Sequence, residues 1–513
     1  MKILLANPPC KISINKNYEK YFIRAGSRWP HSGIKRKGIL PHYLPFPFFL
    51  GYSAGLLLME KFEVQVLDAV ALDITEEEFC DGVRFYKPDL VFFETTTPTI
   101  ENDIKLINRI KDSDKQIVIV IGGTHATTYA GGILSQCNNI DYVIKGEYEM
   151  TLLNLCKLLS SNTGGLDGIK GLVYRKNINS SEIVDNGHAE LIDPLDQLPF
   201  PGYNLFPRNE NPNPTIYWDG FCQYRPALQM HASRGCPYGC YFCIWPQVMY
   251  NSRKYRKFSP SRVVDEAEYL IKNYNIKEIY FDDDDFTIDR KHVLNICEEI
   301  KRRNLKVKWS CMGDAINLDE EVISSMASSG CIGMKFGVES ANREILKDIG
   351  KPVVLEKVKE ISNLCVKYGM KTHATFSIGL MGETKETLKE SLEFAKQIDV
   401  DTIQVSICTP YPGTKFFSWA EEKGILKKDF KWSDFDGSSK TIIEYSNLDS
   451  EYLECFRKYF FNQWLLSKIM HPKWLLRQVR NIFRVIRGQG AGFLLSKLWG
   501  VIINTMSTGR RSL

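Results

Sequence analysis

Two series of short apolar runs, in which each run alternates with a segment of helical periodicity, constrain the fold of this 513-residue chain most strongly. In the first series, IENDIKLINRIK is typical of the helical segments. Strands that alternate with helices predict a parallel, doubly wound α/β sheet with helices on both faces, and we assign it to residues 1–155. The predicted strands are KILLAN, FEVQVLD, DLVFFETTT, QIVIVIGGTH and DYVIKGE.

The second series predicts six strands with five helices between them. This pattern fits a partial or full barrel of βα units, which we place at residues 226–420, with its chemistry at the carboxyl ends of the strands. The predicted strands lie in PALQMHAS, KEIYF, VKWSC, IGMKFGV, KTHATFSIG and TIQVSIC.

Two segments lie outside these series. Residues 156–225 are rich in Ser, Asn, Gly and Pro, which predicts a linker of turns and extended connections. Residues 421–513 predict a C-terminal extension with basic amphipathic helices. A fifteen-residue apolar stretch, GFLLSKLWGVIINTM, is short for a bilayer span, which needs about 20 residues.

The basic tail allows two interpretations. From Cys455 onward there are eleven Lys or Arg residues and no Asp or Glu. A helix with this pattern suits the surface of an anionic membrane, or a terminal layer packed on the barrel with its arginines in solvent. The predicted arginine face holds Arg477, Arg480, Arg484 and Arg487, and the apolar face holds Leu475, Leu476, Val479, Ile482, Phe483 and Ile486.

Composition bounds the class of protein. A hydrophobic content of 44% and a charged content of 25% are those of a globular protein of two or three domains. The start, MKILLANPP, has no signal-peptide pattern, so we expect the fourteen cysteines in a reducing, cytoplasmic setting. Because the excess positive charge is confined to the tail, we expect no nucleic-acid partner.

A cluster of three cysteines stands out in RGCPYGCYFC, which contains Cys236, Cys240 and Cys243. A closed structural zinc site takes four ligands, so three thiolates are too few. Three thiolates can hold three corners of a cubane iron–sulfur cluster and leave one iron open. The alternative is a four-cysteine cluster or a zinc site completed by Cys222 or Cys311.

The order Cys-x3-Cys-x2-Cys after the first strand of a βα series resembles the motif of the radical S-adenosylmethionine (radical SAM) enzymes. GVES, SIGLMGET and TPYPGT resemble family motifs on the later strands. The resemblance implies that Cys236, Cys240 and Cys243 bind a 4Fe–4S cluster, and that S-adenosylmethionine chelates its open iron.

Five residues are implied as contacts of S-adenosylmethionine. Phe242 stands where the family has a residue beside the adenine, and Glu339 matches a position that contacts the nucleoside. In the acidic run FDDDDF, one of Asp283 or Asp284 is expected to bind the amino group; a solvated loop or a magnesium site is the alternative. These residues are Phe242, Asp283, Asp284, Glu339 and Ser340.

The first domain adds a second resemblance. NPP, TTTPT, GGTHAT and VIKGEYE, followed by PFPGYNL, resemble the cobalamin-binding class of radical SAM enzymes from Met1 to about residue 440. No histidine lies in an Asp-x-His-x-x-Gly pattern, so His125 is expected to line the pocket and not to ligate cobalt. The implied cobalamin contacts are Asn7, Thr96, Thr97, Gly122, Gly123, His125, Gly146 and Glu147.

These resemblances imply an oxygen-sensitive methyltransferase that acts on an unactivated carbon through a 5′-deoxyadenosyl radical. A cobalamin-dependent cyclase, oxidoreductase or rearrangement enzyme is the first alternative, and a membrane-associated iron–sulfur scaffold or sensor is the second. The implied partners are a reduced flavodoxin or ferredoxin and a small-molecule or lipid-like substrate. Peripheral contact of the tail with the cytoplasmic membrane would suit the lipid interpretation.

Overall fold

The computed structural model describes residues 1–24, 26, 30–41, 43–161, 163–177, 181–437 and 441–489. Two mainly parallel sheets, each covered by helices, follow one another along the chain. The predicted fold class, a doubly wound sheet followed by an open barrel and a helical extension, is confirmed.

The described part of the chain up to residue 185 forms two sheets and six helices. The strands are β1 (Lys2–Asn7), β2 (Lys11–Ser13), β3 (Tyr18–Ile23), β4 (His31–Arg36), β5 (Glu63–Asp68), β6 (Leu90–Glu94), β7 (Val118–Gly122), β8 (Tyr142–Ile144), β9 (Leu172–Arg175) and β10 (Ile183–Asp185). The helices are α1 (Phe48–Met59), α2 (Ala69–Leu72), α3 (Glu76–Tyr86), α4 (Ile100–Ser113), α5 (Thr124–Gln136) and α6 (Tyr148–Ser161).

The larger of these sheets has the strand order β10-β9-β8-β7-β6-β1-β5. Five neighbouring strands of this sheet, β5, β1, β6, β7 and β8, run parallel. Every residue of β6 is buried because helices cover both faces of the sheet. In this order a ligand crevice is expected beyond the carboxyl ends of β1 and β6, where the winding direction changes. The segment predicted as a linker contributes β9 and β10, which add to the sheet as antiparallel strands.

The smaller sheet, formed by β2, β3 and β4, was not predicted, and we call it the cover sheet. Arg24, directly after β3, forms a buried ion pair with Asp103 of α4. On another side, Asp436 accepts an ion pair from Lys20 and a hydrogen bond from Ser32. The cover sheet therefore joins the first domain to the C-terminal extension.

The rest of the described chain contains eight strands and nine α-helices. The strands are β11 (Ala227–Met230), β12 (Ser233–Arg234), β13 (Arg256–Lys257), β14 (Glu278–Phe281), β15 (Lys308–Gly313), β16 (Cys331–Glu339), β17 (Lys371–Ile378) and β18 (Thr402–Ile407). The helices are α7 (Pro260–Tyr274), α8 (Arg290–Arg302), α9 (Glu320–Ser328), α10 (Arg343–Asp348), α11 (Leu355–Lys367), α12 (Lys385–Gln397), α13 (Lys415–Glu422), α14 (Ser450–Ile469) and α15 (Pro472–Gln489).

Six parallel strands form an open barrel in the order β11-β14-β15-β16-β17-β18. Burial alternates along β17: Thr372, Ala374, Phe376 and Ile378 are buried, whereas the residues between them are partly accessible from the lumen. All six predicted barrel strands are present. The alternation explains why the sequence of this strand mixes polar and apolar residues.

A fully buried network of four charged side chains joins the two domains. Glu147, directly after the β8 turn, accepts two hydrogen bonds from Arg256, at 2.6 and 2.9 Å. Arg234 of β12 lies 3.3 Å from Glu147 and 2.8 Å from Glu149. These contacts hold the segment that leads into the three cysteines against the first sheet.

The C-terminal helices close the amino end of the barrel. α14 packs against β18, and α15 bonds to residues that directly precede β17 and β18. Among the described residues, no helix is both long enough and apolar enough to cross a membrane. The apolar stretch at residues 492–506 lies outside the described residues.

We expect Glu147→Gln to destabilise the protein by about 3–5 kcal/mol, because it leaves two buried arginines without a full counter-charge. Unfolding in urea, followed anaerobically on cluster-free protein, measures this loss. Glu356→Gln is the matched control, since Glu356 pairs with Arg343 on the surface and is expected to cost about 0–1 kcal/mol. Equal losses of unfolding free energy in the two variants would contradict the claim that the buried network stabilises the fold.

Candidate active site

The three cysteines open on one cavity inside the barrel. Cys236, Cys240 and Cys243 follow β12 and precede a π-helix at Trp245–Met249. All three line a cavity of about 680 Å³, which we call the barrel cavity. Cys222 and Cys311, the alternative fourth ligands, are buried and do not line it. Cys408, directly after β18, does line it, although the sequence did not single it out.

Gly235 begins the cysteine loop, residues 235–243, in the left-handed region with φ of 88°. A Cβ atom at this position would lie 2.2 Å from the carbonyl oxygen of Lys254, so the turn requires glycine. Among the described residues, no three His, Cys, Asp or Glu side chains converge on a point where one metal ion could bind. A cubane cluster does not need such convergence, because each thiolate binds a different iron.

Gln247 holds the cysteine loop in shape. Its amide nitrogen donates to the carbonyl oxygens of Cys240, Tyr241 and Cys243, at 2.9–3.0 Å. Its amide oxygen accepts from the backbone N–H of Lys415 at 2.8 Å. Sequence reasoning missed this residue, and its position four residues after the last cysteine is the only local signal.

A second support comes from the loop after α10. The N–H of Tyr241 donates to the carbonyl of Ile349 at 2.9 Å. Lys351 lines the barrel cavity and forms a 2.9 Å ion pair with the buried Asp314. Burial raises the pKa of Cys240 to about 11, and the charge of Lys351 acts in the opposite direction. Lys351, also missed from the sequence, therefore places a positive charge beside a predicted cluster ligand.

The acidic run at the end of β14 anchors the same loop. Asp283 accepts from the N–H of Ala232 at 3.1 Å and from the hydroxyl of Ser233 at 2.5 Å, and Asp284 accepts from the N–H of Gly235 at 2.8 Å. Asp284 lines the barrel cavity, whereas Asp283 is fully buried behind it. The run is thus part of the scaffold of the cysteine loop and not a solvated loop.

Glu339 ends β16 in an unusual conformation. Its φ is 63°, at a bulge, and a non-glycine residue in this region costs about 1–3 kcal/mol. The carboxylate accepts from the hydroxyl of Ser377 at 2.6 Å and lines the barrel cavity. Phe242 lines the cavity as well, whereas Ser340 is buried against Ser391 of α12 and does not.

Glu383, in the SIGLMGET segment, closes the turn after β17. Its carboxylate accepts from the backbone N–H groups of Gly379 at 2.6 Å and Leu380 at 2.9 Å. Burial raises the pKa of Glu383 to about 8, against the lowering effect of these two bonds. The folded protein therefore holds this proton at neutral pH.

The carboxyl edge of the first sheet gathers most of the predicted cobalamin residues. His125 lies 3.3 Å from the Thr97 hydroxyl, and burial lowers the pKa of His125 to about 3, so its ring is neutral. Thr96 follows the end of β6 by two residues, and Gly122 ends the neighbouring strand β7 at the same edge. At Gly123, with φ of 105°, a Cβ atom would lie 2.3 Å from a backbone oxygen of the β6 turn.

Three other predicted positions have different surroundings. Asn7 donates to Asp68 at 2.8 Å at the end of β1. Gly146 packs against His188, and Glu147 belongs to the ion network between the domains. The ring of Trp432, from the C-terminal extension, meets the ring of His125 edge to face, with 5.2 Å between ring centres.

Several buried polar atoms at this edge lack hydrogen-bond partners in the described structure. They are Asn7 Oδ1, Thr124 Oγ1, and Nε and Nη2 of Arg24. Each unsatisfied buried group costs about 1–3 kcal/mol, so a ligand that carries amides or other polar groups would stabilise the edge. The donor set therefore fits cobalamin, just as the three thiols beside Lys351 fit a cluster with an open iron.

Comparisons with known proteins identify both a B12-binding region and a radical SAM region in this chain. Residues 46–155 match the family model of the B12 binding domain, and residues 230–395 match that of the radical SAM superfamily. An uncharacterized methyltransferase from Pyrococcus horikoshii is 28% identical over 94% of this chain and 98% of its own length. The anaerobic magnesium-protoporphyrin IX monomethyl ester cyclase of Rubrivivax gelatinosus is 26% identical over 82% of this chain and 75% of the cyclase.

Among solved structures, the radical S-adenosylmethionine methyltransferase TsrM from Kitasatospora setae, with cobalamin and a 4Fe–4S cluster bound, is similar in fold. The TM-score is 0.62 at 21% identity, over 83% of this chain and 79% of TsrM. The B12-binding and radical SAM domains imply three cofactors: cobalamin, a 4Fe–4S cluster and S-adenosylmethionine.

We expect Gln247→Ala to accelerate the loss of a reconstituted cluster to a chelator by about ten-fold or more, since three hydrogen bonds to the cysteine loop are removed. Release of iron, followed by absorbance under anaerobic conditions, gives the rate. Gln397→Ala is the control. Gln397 lies on the surface of α12 and, among the contacts described, bonds only to Lys359 of α11. Equal rates of iron release from the two variants would refute the proposal that Gln247 holds the cysteine loop in shape.

The raised pKa of Glu383 predicts a pH dependence of stability. Below the ordinary pKa of 4.5 both the folded and the unfolded protein hold the proton; as the pH rises to about 8, only the unfolded protein releases it. Wild type should therefore lose stability relative to Glu383→Gln by up to about 1.4 kcal/mol per pH unit over this window. Urea unfolding from pH 4 to 9 checks this; a constant difference between the two proteins would contradict it.

Proposed function

We propose that this chain, a radical SAM enzyme with an N-terminal B12-binding domain, is a methyltransferase that acts on an unactivated carbon. One observation carries the proposal: the cysteine loop opens on the barrel cavity and is held, through Arg234, to the carboxyl edge of the B12-binding domain. This arrangement suits a radical generator and a methyl carrier that serve one substrate. The likeness to a methyltransferase over 98% of that relative's length supports it.

When bound, the reduced cluster and S-adenosylmethionine supply a 5′-deoxyadenosyl radical, and cobalamin supplies a methyl carrier. In our proposal Cys236, Cys240 and Cys243 hold three irons. Lys351 offers a positive charge to the carboxylate of S-adenosylmethionine. Glu339, fixed by Ser377, accepts hydrogen bonds from the hydroxyl groups of its nucleoside.

The remaining contacts set orientation and exclude water. Asp284, already anchored by Gly235, presents its carboxylate to an ammonium group, and Phe242 provides an apolar wall for a flat ring. At the carboxyl edge of the first sheet, we propose that Asn7, Thr96, Thr97, Gly122, Gly123 and His125 contact cobalamin. The proposal for His125 requires Trp432 to move, because the indole ring is in edge-to-face contact with the imidazole.

The substrate is proposed to be a small molecule with polar groups, or a lipid-like molecule with a polar end. The deep part of the barrel cavity carries an ion pair between Lys335 and Asp219 at 2.7 Å, together with Lys371, His373 and Gln404. A purely apolar molecule would leave these groups without water.

A radical SAM enzyme needs a reductant, and we propose a reduced flavodoxin or ferredoxin. All fourteen cysteines are free thiols, which suits the reducing cytoplasm as the proposed location. We also propose a peripheral contact of the tail with a membrane.

A second candidate is a cobalamin-dependent cyclase, oxidoreductase or rearrangement enzyme. The 26% identity to the Rubrivivax cyclase, over 82% of this chain, favours it as the alternative. The two candidates differ in whether a second S-adenosylmethionine is converted to S-adenosylhomocysteine.

We expect the anaerobically reconstituted protein to cleave S-adenosylmethionine under reductant, and Cys236→Ala to abolish this by removing a cluster ligand. Cys455→Ala is the control, since Cys455 is exposed on α14 and lies away from the barrel cavity. Chromatography of 5′-deoxyadenosine and S-adenosylhomocysteine, with substrate candidates present, separates the candidates.

Formation of both products supports methyl transfer. Formation of 5′-deoxyadenosine alone would overturn methyl transfer and favour the cyclase-type reaction. A cluster that forms without any cleavage would identify a scaffold or sensor.

A further inference from the structure

Helix α15 is attached to the barrel by its polar face. Arg477 forms ion pairs with Asp399 and Asp401, and only 10% of its side chain is exposed. Trp474 donates from its indole nitrogen to the carbonyl of Val400 at 3.1 Å, and Arg484 donates to that of Gly369 at 3.2 Å. The arginine face predicted to meet solvent or lipid is thus partly consumed by contacts with the protein.

The apolar face of the same helix is turned outward. Leu476 is 71% exposed and Phe483 is 58% exposed, and their neighbours on this face are similar. Exposed apolar residues that recur at helical spacing form one continuous band, which we call the apolar stripe. Its members are Leu475, Leu476, Val479, Ile482 and Phe483.

Three further apolar side chains are exposed at the end of α14 and in the turn before α15: Leu466 at 59%, Ile469 at 45% and Met470 at 79%. Single exposed apolar residues are common, but a band of this extent on one face marks an interaction site. The contacts of the polar face with the barrel fix the orientation of α15, so the apolar stripe is exposed before anything binds it.

Charge decides what kind of surface the stripe fits. Lys473, Arg480 and Arg487 are exposed along α15, and no acidic residue follows Glu454 in the sequence. If a second copy of the chain docked through the same face, the basic residues of one apolar stripe would approach those of the other, and electrostatic repulsion opposes this. An anionic bilayer offers both the apolar region and the opposite charge.

We propose that α15 is a membrane-docking helix, which inserts the apolar stripe into the headgroup boundary of an anionic bilayer. Because α15 bonds to residues that precede β17 and β18, the bilayer contacts the amino end of the barrel, opposite the cysteine loop. Docking then localises the enzyme while the carboxyl ends of the strands, where the cysteines lie, stay clear of the lipid. The inference rests on the membrane contact proposed above for the tail, which it assigns to α15, and it does not depend on the reaction catalysed.

Flotation of the full-length holoprotein with vesicles tests this proposal. We expect recovery with vesicles of phosphatidylcholine and phosphatidylglycerol in equal parts, and weaker recovery with phosphatidylcholine alone or in high salt. Leu476→Glu combined with Phe483→Glu should lower recovery by about ten-fold or more. Phe85→Glu, at a residue 77% exposed on α3, is the matched control and should float as wild type does.

Cleavage of S-adenosylmethionine should be unchanged in both variants, which shows that they fold. Removal of residues 490–513 should leave flotation largely intact. If instead that truncation abolishes flotation while the double variant floats, the proposal is overturned in favour of the last segment. A wild type that fails to float, or that forms a dimer which the double variant dissolves, overturns it as well.

Discussion

The buried ion network between Glu147, Glu149, Arg234 and Arg256 is the interaction on which the rest of the site depends. It is enclosed so completely that none of its side chains is more than 1% exposed. Arg234 stands two residues before Cys236, so the network sets the position of the cysteine loop relative to the first sheet. Buried ion pairs do little for stability compared with apolar packing, but they fix geometry, since only one arrangement satisfies the charges.

The cysteine loop is then shaped by contacts from every side. Gln247 binds its carbonyl groups, Asp284 accepts from the N–H of Gly235 at its start, and Ile349 accepts from its middle. Asp283 accepts from the hydroxyl of Ser233, just before the loop. A short loop that must hold three thiols open to a cavity cannot rely on its own hydrogen bonds. Its support comes from the segments that follow β12, β14 and α10, on the side of the barrel where the loops after the strands meet.

In helix α15, the polarity pattern of the sequence does not by itself show which face packs against the protein. The pattern of α15 separates arginines from apolar residues, and ordinary packing would bury the apolar side. Here the amino end of the barrel presents Asp399 and Asp401, so the polar side of α15 is the one that binds. The helix consequently seals one end of the barrel and exposes its apolar side.

The sequence by itself determined both alternating α/β series, the six barrel strands and the cluster-binding motif, because periodicity and cysteine spacing are local properties of the chain. The family resemblance pointed to Phe242 and Glu339, and the strand ends pointed to most residues of the carboxyl edge, since strand ends in parallel sheets meet at one edge. Only the tertiary structure decided that Glu147 joins the domains, that Asp283 and Ser340 lie behind the cavity wall, and that Gln247 and Lys351 support the cysteines. These roles depend on partners 4 to 168 residues away, and such contacts exist only after the chain has folded.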